Sequence, residues 1–316
     1  MSSPKERYIF IDILKGISIL LVVYGHIIPG SIPLFTEYAG IFRMPLFFFV
    51  SGVLFSNTRY QNNFKEFLYK RYKGLVIPFF YFSIIVALGY FFIEDDYRAF
   101  IFKLVTWGWG GYALWFIPVL LGSQIIYYAV CKLPPYVRLI SIVSLGILSF
   151  LSSRYIGYIP YNLCLCLCGA YFFGMGNLCK KYLSFTKKCT GGVPIIIFVS
   201  GFAISLIYLL SDRQPQWFIN DIPSLVFYVA PLGSIACLAV IALLIERGGV
   251  SVIHRFFSVC GRQSYIILAF HQIICMIAQR YVPSKIAIMI MIVSLAFLVW
   301  FIPKYLPWML GKSKAQ

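Results

Sequence analysis

Charge is what this chain has least of. Of its 316 residues only 12% are charged, ten are acidic and three are histidine. Soluble globular domains carry about a quarter of their residues as charges, so a soluble fold is excluded. The sequence holds no GxxxxGK[ST] loop, which removes the phosphate cradle of a P-loop nucleotide site. It holds no run of alternating apolar and polar residues, so transmembrane β-strands are not expected. No long basic tail gathers the net charge of +17, which is spread along the chain, and no nucleic-acid partner is expected. No small-residue cleavage site follows the N-terminal stretch, so the first apolar segment is expected to be a retained span rather than a signal peptide.

What is present is hydrocarbon. Hydrophobic residues make up 61% of the chain and the mean hydropathy is +0.86, the composition of a polytopic membrane protein. The 19% aromatic content suits belts at the two membrane surfaces. Apolar stretches of bilayer length fall at 9–29, 40–56, 74–93, 112–131, 137–153, 157–178, 193–211, 223–245, 263–282 and 286–306. The expected fold is therefore all-α, a membrane bundle of about ten transmembrane helices. An even number of crossings puts both termini on one side. Most of the 27 Lys and Arg then share that side, in the tails and in the breaks at 57–73, 132–138, 180–188 and 246–262. Only Arg43, Arg98, Lys103, Arg154, Arg213, Arg280 and Lys285 fall at the opposite ends, and Lys15 lies within a span. The positive-inside rule makes the richer side, and both termini, cytoplasmic, with the acidic Glu94-Asp95-Asp96 turn outside. Breaks this short leave no room for a soluble domain, so residues 1–316 are expected to form a single membrane domain in the cell's inner or plasma membrane. No internal repeat with paired Gly/Pro-broken helices appears, as inverted-repeat transporters would show. Nine cysteines scattered through apolar segments do not make a disulfide framework. Cys164, Cys166 and Cys168 fan out around a helix and cannot converge on one metal, so no metal is expected.

The first span carries an acid, a cation and an imidazole. Asp12, Lys15 and His26 share one face: Lys15 and His26 differ by roughly 20° around a helix and roughly 16 Å along it, with Asp12 within about 60° of Lys15. Each such group costs about 2.5–3.5 kcal/mol if charged and unpaired at the bilayer centre. A helix bearing three of them is expected to face protein, either as a surface pair plus a packed histidine or as a catalytic or transport site. In the second apolar segment Pro45 suits a first helical turn, which would set Arg43 at the outer mouth beside Glu37. Lys70 to Pro78 forms a basic cluster leading into the third span. It is explained by positive-inside bias, and it would equally suit the phosphates of an anionic co-substrate. Trp107, Trp109, Tyr112 and Trp115 lie among glycines before the fourth span, as an aromatic belt or as faces for a sugar ring. His271 falls about mid-membrane in the ninth span, whereas His254 falls in a basic break and is expected to be solvated.

Taken together, Asp12-x-x-Lys15-Gly16 followed by Val23-x-x-His26, the segment Arg43 to Gly52, the basic lead from Lys70-Arg71 to Pro78, Leu114 to Pro118, and Gly261 to Ser264 with His271 resemble the acyltransferase 3 family of integral membrane O-acyltransferases. The resemblance runs over nearly the whole length, in order. It implies a ten-span bundle that moves an acyl group, usually acetyl from cytosolic acetyl-CoA, onto a sugar hydroxyl at the far side. The family's basic residue eleven before the histidine is most often arginine. Here Lys15 keeps the charge and loses the bidentate fork.

On that reading His26 is the catalytic base or acyl relay, with Asp12 and Lys15 at the inner end of its helix. Lys15, Arg71 and Lys73 draw the phosphates of the acyl donor, and Arg43, Glu37, Trp115 and His271 serve the acceptor or the oxyanion. The partners implied are membrane lipids and a glycan acceptor, whether O-antigen, capsule or lipid-linked saccharide. Neither the acceptor hydroxyl nor an oligomeric state follows from the sequence. The alternative is an exporter or flippase of a surface polysaccharide, whose translocation path the same intramembrane charges would line; a sensor without chemistry would tolerate neutral residues at 12, 15 and 26.

Overall fold

A backbone in hydrocarbon must pair every N–H and C=O within the protein, and a helix does so within its own segment. The computed structural model describes residues 8–27, 33–56, 63–93, 98, 101–102, 111–156, 163–182, 192–211, 225–249 and 251–312, which are helical throughout with short turns and no strand. The helices are α1 (Ile9–Ile27), α2 (Pro33–Val53), α3 (Phe64–Arg71), α4 (Ile77–Tyr90), α5 (Phe116–Val130), α6 (Pro135–Leu151), α7 (Leu163–Cys179), α8 (Val193–Ser211), α9 (Ala230–Arg247), α10 (Ser251–Arg262), α11 (Ser264–Tyr281) and α12 (Ser284–Tyr305). Pro135 and Pro231 stand in the first turns of α6 and α9, where a missing N–H costs nothing.

Among the described residues seven helical segments are long and apolar enough to cross a membrane: 9–27, 64–90, 112–130, 135–156, 193–211, 225–247 and 284–305. Side chains such as Phe80, Ile140, Ile195 and Val293 stand exposed on their outer faces, as hydrocarbon contact requires. The other three apolar stretches are also helical, as α2, α7 and α11. α7 is short, while α2 and α11 spend positions on Glu37 and Arg43, and on His271, Gln272 and Arg280.

Three local expectations are corrected. α2 begins at Pro33, so Pro45 lies inside the helix rather than in its first turn. It removes the N–H that would bond the Ile41 carbonyl, and next to this loosened turn the Arg43 carbonyl accepts a bond from Ser18 Oγ of α1 at 2.8 Å. The basic cluster at 70–78 is helical, because α3 continues through a π-helical turn, Tyr72–Val76, into α4. The break at 246–262 contains α10, so His254 sits half-buried on an amphipathic helix instead of in an open loop. The Glu94-Asp95-Asp96 turn and Trp107 to Gly110 lie outside the described residues.

α1 is central, touching α2, α9, α10 and α11. Close approach is set by glycine. A Cβ at Gly16 would run into the Phe257 backbone of α10, and one at Gly261 into the Asp12 backbone of α1. The α2–α7 seam is reciprocal in the same way, with Gly52 against the Phe173 carbonyl and Gly176 against the Phe49 carbonyl. Small residues at helix contacts are how bundles pack where lipid is as apolar as the protein. Cys164, Cys166 and Cys168 are buried in α7, and Ser149 Oγ donates to the Cys164 carbonyl at 2.7 Å.

The end of α2 is tied down by α7. Asn177 Nδ2 donates to the carbonyls of Gly52 at 3.1 Å and Phe55 at 3.3 Å, and Asn177 Oδ1 accepts from Tyr127 Oη at 2.8 Å. Lys180 Nζ also donates to the Phe55 carbonyl, at 2.7 Å. Asn177→Leu keeps the volume and strands the Tyr127 hydroxyl, while the Gly52 carbonyl keeps only its bond from the Phe55 N–H. It is expected to cost about 1–3 kcal/mol, read as an earlier thermal unfolding of the solubilised protein; an unchanged transition would refute this role.

Candidate active site

The three helices that carry the polar burden meet at one point. His26 occupies the last turn of α1 with its ring exposed. His271, on α11, is wholly buried. His271 Nε2 lies 3.3 Å from His26 Nδ1, and the ring centroids are 5.1 Å apart at an interplanar angle of 57°. Each ring is also anchored to its own helix: His26 Nδ1 is 2.8 Å from the Val22 carbonyl oxygen, and His271 Nδ1 is 2.9 Å and 3.0 Å from those of Ile267 and Leu268.

Arg43 closes the group from α2. Its Nη1 lies where a Cβ at residue 25 would be, so Gly25 makes the room that seats the guanidinium beside His26. Its charge reaches both imidazoles electrostatically. Nη1 is buried and has no hydrogen-bond partner among the described residues. An N–H left so costs about 1–3 kcal/mol, and more on a charged group, which is repaid when an oxygen ligand arrives.

Other expected site residues fall elsewhere. Glu37 does not stand beside Arg43. Six residues on one helix put them about 120° around and about 9 Å along the axis from each other, and no ion pair joins them among the described residues. Asp12 and Lys15 are half-buried deeper along α1, where α10 packs across Gly16. Arg71 and Lys73 belong to the π-helical turn region: Arg71 Cζ sits 5.3 Å from the Phe67 ring centroid and 6.0 Å from that of Phe55, and Lys73 Nζ lies 4.6 Å from that of Tyr69. Trp115 is half-buried in a turn, Tyr112–Trp115, that packs against α11, the helix of His271. Sequence reasoning missed Gly25 and Ser18. The Tyr24-Gly25-His26 run was the available signal, since a glycine inside a helix costs stability unless something packs against it.

A cavity of about 380 Å³ opens between α1, α2, α8 and α9, lined by Phe10, Leu14, Phe49 and Val53, with Arg247 among its edges. The lining residues of α1, Phe10, Ile11 and Leu14, are about 18–24 Å along that helix from His26, so this cavity is separate from the imidazole pair. Among the described residues no three His, Cys, Asp or Glu side chains converge as metal ligands.

An exposed imidazole backed by a second one, next to a guanidinium whose buried Nη1 lacks a partner, can take a proton and hold a developing oxyanion. No curated protein and no solved structure matches the chain in comparison. The family model described as an acyltransferase domain, that of the acyltransferase 3 family, matches residues 8–305. An apolar multi-helix chain whose first helix carries a histidine into such a site therefore belongs to the acyltransferase 3 family of membrane acyltransferases.

Proposed function

We propose that this protein is an O-acetyltransferase of the inner or plasma membrane that moves acetyl from cytosolic acetyl-CoA to a hydroxyl of a surface or lipid-linked glycan. The observation that carries this reading is the exposed His26 ring beside the partnerless Nη1 of Arg43. The topology proposed with it has α2, α7 and α11 crossing as well, for ten spans with both termini cytoplasmic.

The chemistry follows from these groups. The acceptor oxygen attacks the thioester carbonyl while the His26 imidazole takes its proton, and Arg43 binds the carbonyl oxygen as it becomes an oxyanion. The tetrahedral intermediate collapses with cleavage of the C–S bond, and the imidazolium returns its proton to the CoA thiolate. Asp12 and Lys15 line the inner approach. Lys15, Arg71 and Lys73 attract the donor phosphates, with Lys73 on its aromatic shelf as the more available point charge. Trp115 offers an apolar face to the acceptor ring, and Glu37 a hydrogen-bond acceptor at the outer end of α2.

The test incubates membranes containing the protein with acetyl-labelled acetyl-CoA and the host's lipid-linked and surface glycans, then releases label with mild base. Base-labile label in glycan is expected. Absence of label with the intact chain present overturns the reading, and a deletion strain that traps unmodified glycan inside the cell would assign export instead.

Arg43→Met, which keeps the length of the side chain and removes charge and donors, is expected to lower kcat/KM by about 10²–10³-fold without loss of protein. Arg43→Lys is expected to recover part of it. Unchanged turnover in Arg43→Met would remove the guanidinium from the reaction.

A further inference from the structure

We infer that His271 is a positioning residue that holds the His26 imidazole with its hydrogen on Nδ1 and accepts a hydrogen bond from it, so that His26 Nε2 is the nitrogen that takes the hydroxyl proton. This rests on the acyl-transfer reading above and adds to it an atom and a partner.

Three carbonyl oxygens and the two rings fix the arrangement. Among the described residues His271 Nδ1 faces only the Ile267 and Leu268 oxygens. Carbonyl oxygens accept and never donate, so this nitrogen carries the hydrogen of the neutral ring and Nε2 carries the lone pair. That lone pair is directed at His26 Nδ1. The second neighbour of His26 Nδ1, the Val22 oxygen, is again an acceptor. His26 Nδ1 must therefore be the donor, sharing its hydrogen between Val22 and His271. The reverse assignment would set lone pair against lone pair at Val22, Ile267 and Leu268 together. A neutral imidazole has one N–H, so His26 Nε2 is left with a lone pair, on a ring that is exposed while its partner is wholly buried.

The consequence for the reaction is a division of labour. When the acceptor hydroxyl loses its proton, its O–H bond breaks and an N–H bond forms at His26 Nε2. The bonds from His26 Nδ1 to Val22 and His271 then become charge-assisted and strengthen at the moment the imidazolium exists. His271 does not pass the proton onward, because its own N–H is committed to buried carbonyls. The proton leaves from His26 Nε2 to the thiolate, and His271 ends the cycle unchanged. A soluble hydrolase triad puts a carboxylate behind its histidine. In a membrane bundle a neutral imidazole does this without the cost of burying an anion.

Two measurements test this. The chain has three histidines, so imidazole ¹⁵N NMR of histidine-labelled protein in lipid discs can be assigned by single substitutions. In wild type, His26 and His271 are both expected to show a protonated Nδ1 and an unprotonated Nε2. A wild-type His26 with its hydrogen on Nε2 overturns the inference. In turnover, His271→Ala is expected to lower kcat by about 10- to 100-fold with little change in KM for acetyl-CoA. His271→Gln, whose carbonyl oxygen reaches as far as the ring Nε2, retains most of kcat, and His271→Asn, which reaches only as far as Nδ1, does not. Equal losses in the Gln and Asn variants would make His271 merely structural and refute the positioning role. Were His271→Ala to fail to fold, the wild-type spectra and the Gln–Asn contrast still decide. A wild type that transfers no acetyl yet shows the expected spectra would sink the proposed function and leave the tautomer assignment standing.

Discussion

His26→Ala is expected to lower acyl transfer by about 10²–10⁴-fold, the usual worth of a general base, with the protein still present in the membrane at its normal level. Stability should survive because the ring is exposed on the last turn of α1 and its hydrogen bonds are to Val22 of the same helix and to His271. The substitution does leave the Nε2 of a wholly buried His271 without its donor, at a cost of about 1–3 kcal/mol. The check is base-labile acetyl in glycan normalised to protein measured by immunoblot. Activity at the wild-type level in His26→Ala would remove this histidine from the chemistry and leave the imidazole pair a packing feature. Failure of the variant to accumulate is distinguished by His26→Asn, whose side-chain amide reaches as far as Nδ1 and can still donate toward His271 while providing no base.

Gly176→Val should have the largest effect on folding. Its Cβ would meet the Phe49 carbonyl of α2, a backbone group that has no rotamer to move into. Relief comes only if α2 and α7 separate, which also stretches the Asn177 bonds to Gly52 and Phe55 and disturbs the opposite half of the seam, where Gly52 meets Phe173. Overpacking of this kind costs about 1–3 kcal/mol in soluble cores and sometimes more. Since α2 also seats Arg43 against Gly25, turnover should fall with stability although residue 176 touches neither imidazole. Thermal unfolding in detergent, followed by loss of monodispersity, is the measurement. Gly192→Ala is the control, since a Cβ there meets nothing within 4 Å and the transition should not move. A Gly176→Val protein as stable as wild type would mean that the α2–α7 seam is looser than its geometry.

The helices and the polar face of α1 were legible in the residues because both are local properties. Hydropathy over some twenty residues is enough to make a helix in hydrocarbon, and the Lys15 to His26 interval is an angle on a single helix. Arg43 shows where such reasoning stops. Its segment was recognisable, yet Pro45 suggested a helix start that lies at Pro33, and the expected neighbour Glu37 stands about 120° around the same helix. The true neighbour, Gly25, belongs to another helix, so nothing within α2 points to it. The Lys70 to Pro78 cluster was read correctly as basic, but its π-helical turn is bound up with distant groups, among them Tyr265 Oη donating to the Leu75 carbonyl at 2.9 Å.

By itself the sequence determined a helical membrane protein with three ionisable groups on one face of the first span, since burying unpaired charge in lipid is costly enough to force that face toward protein. Only the tertiary structure decided that His26 meets His271 across 245 residues of chain and that Arg43 completes the group. Those facts depend on which glycine seams let α1, α2, α10 and α11 approach and at what rotation. That is a choice among many pairings of similarly apolar helices, and backbone contact makes it where hydropathy cannot.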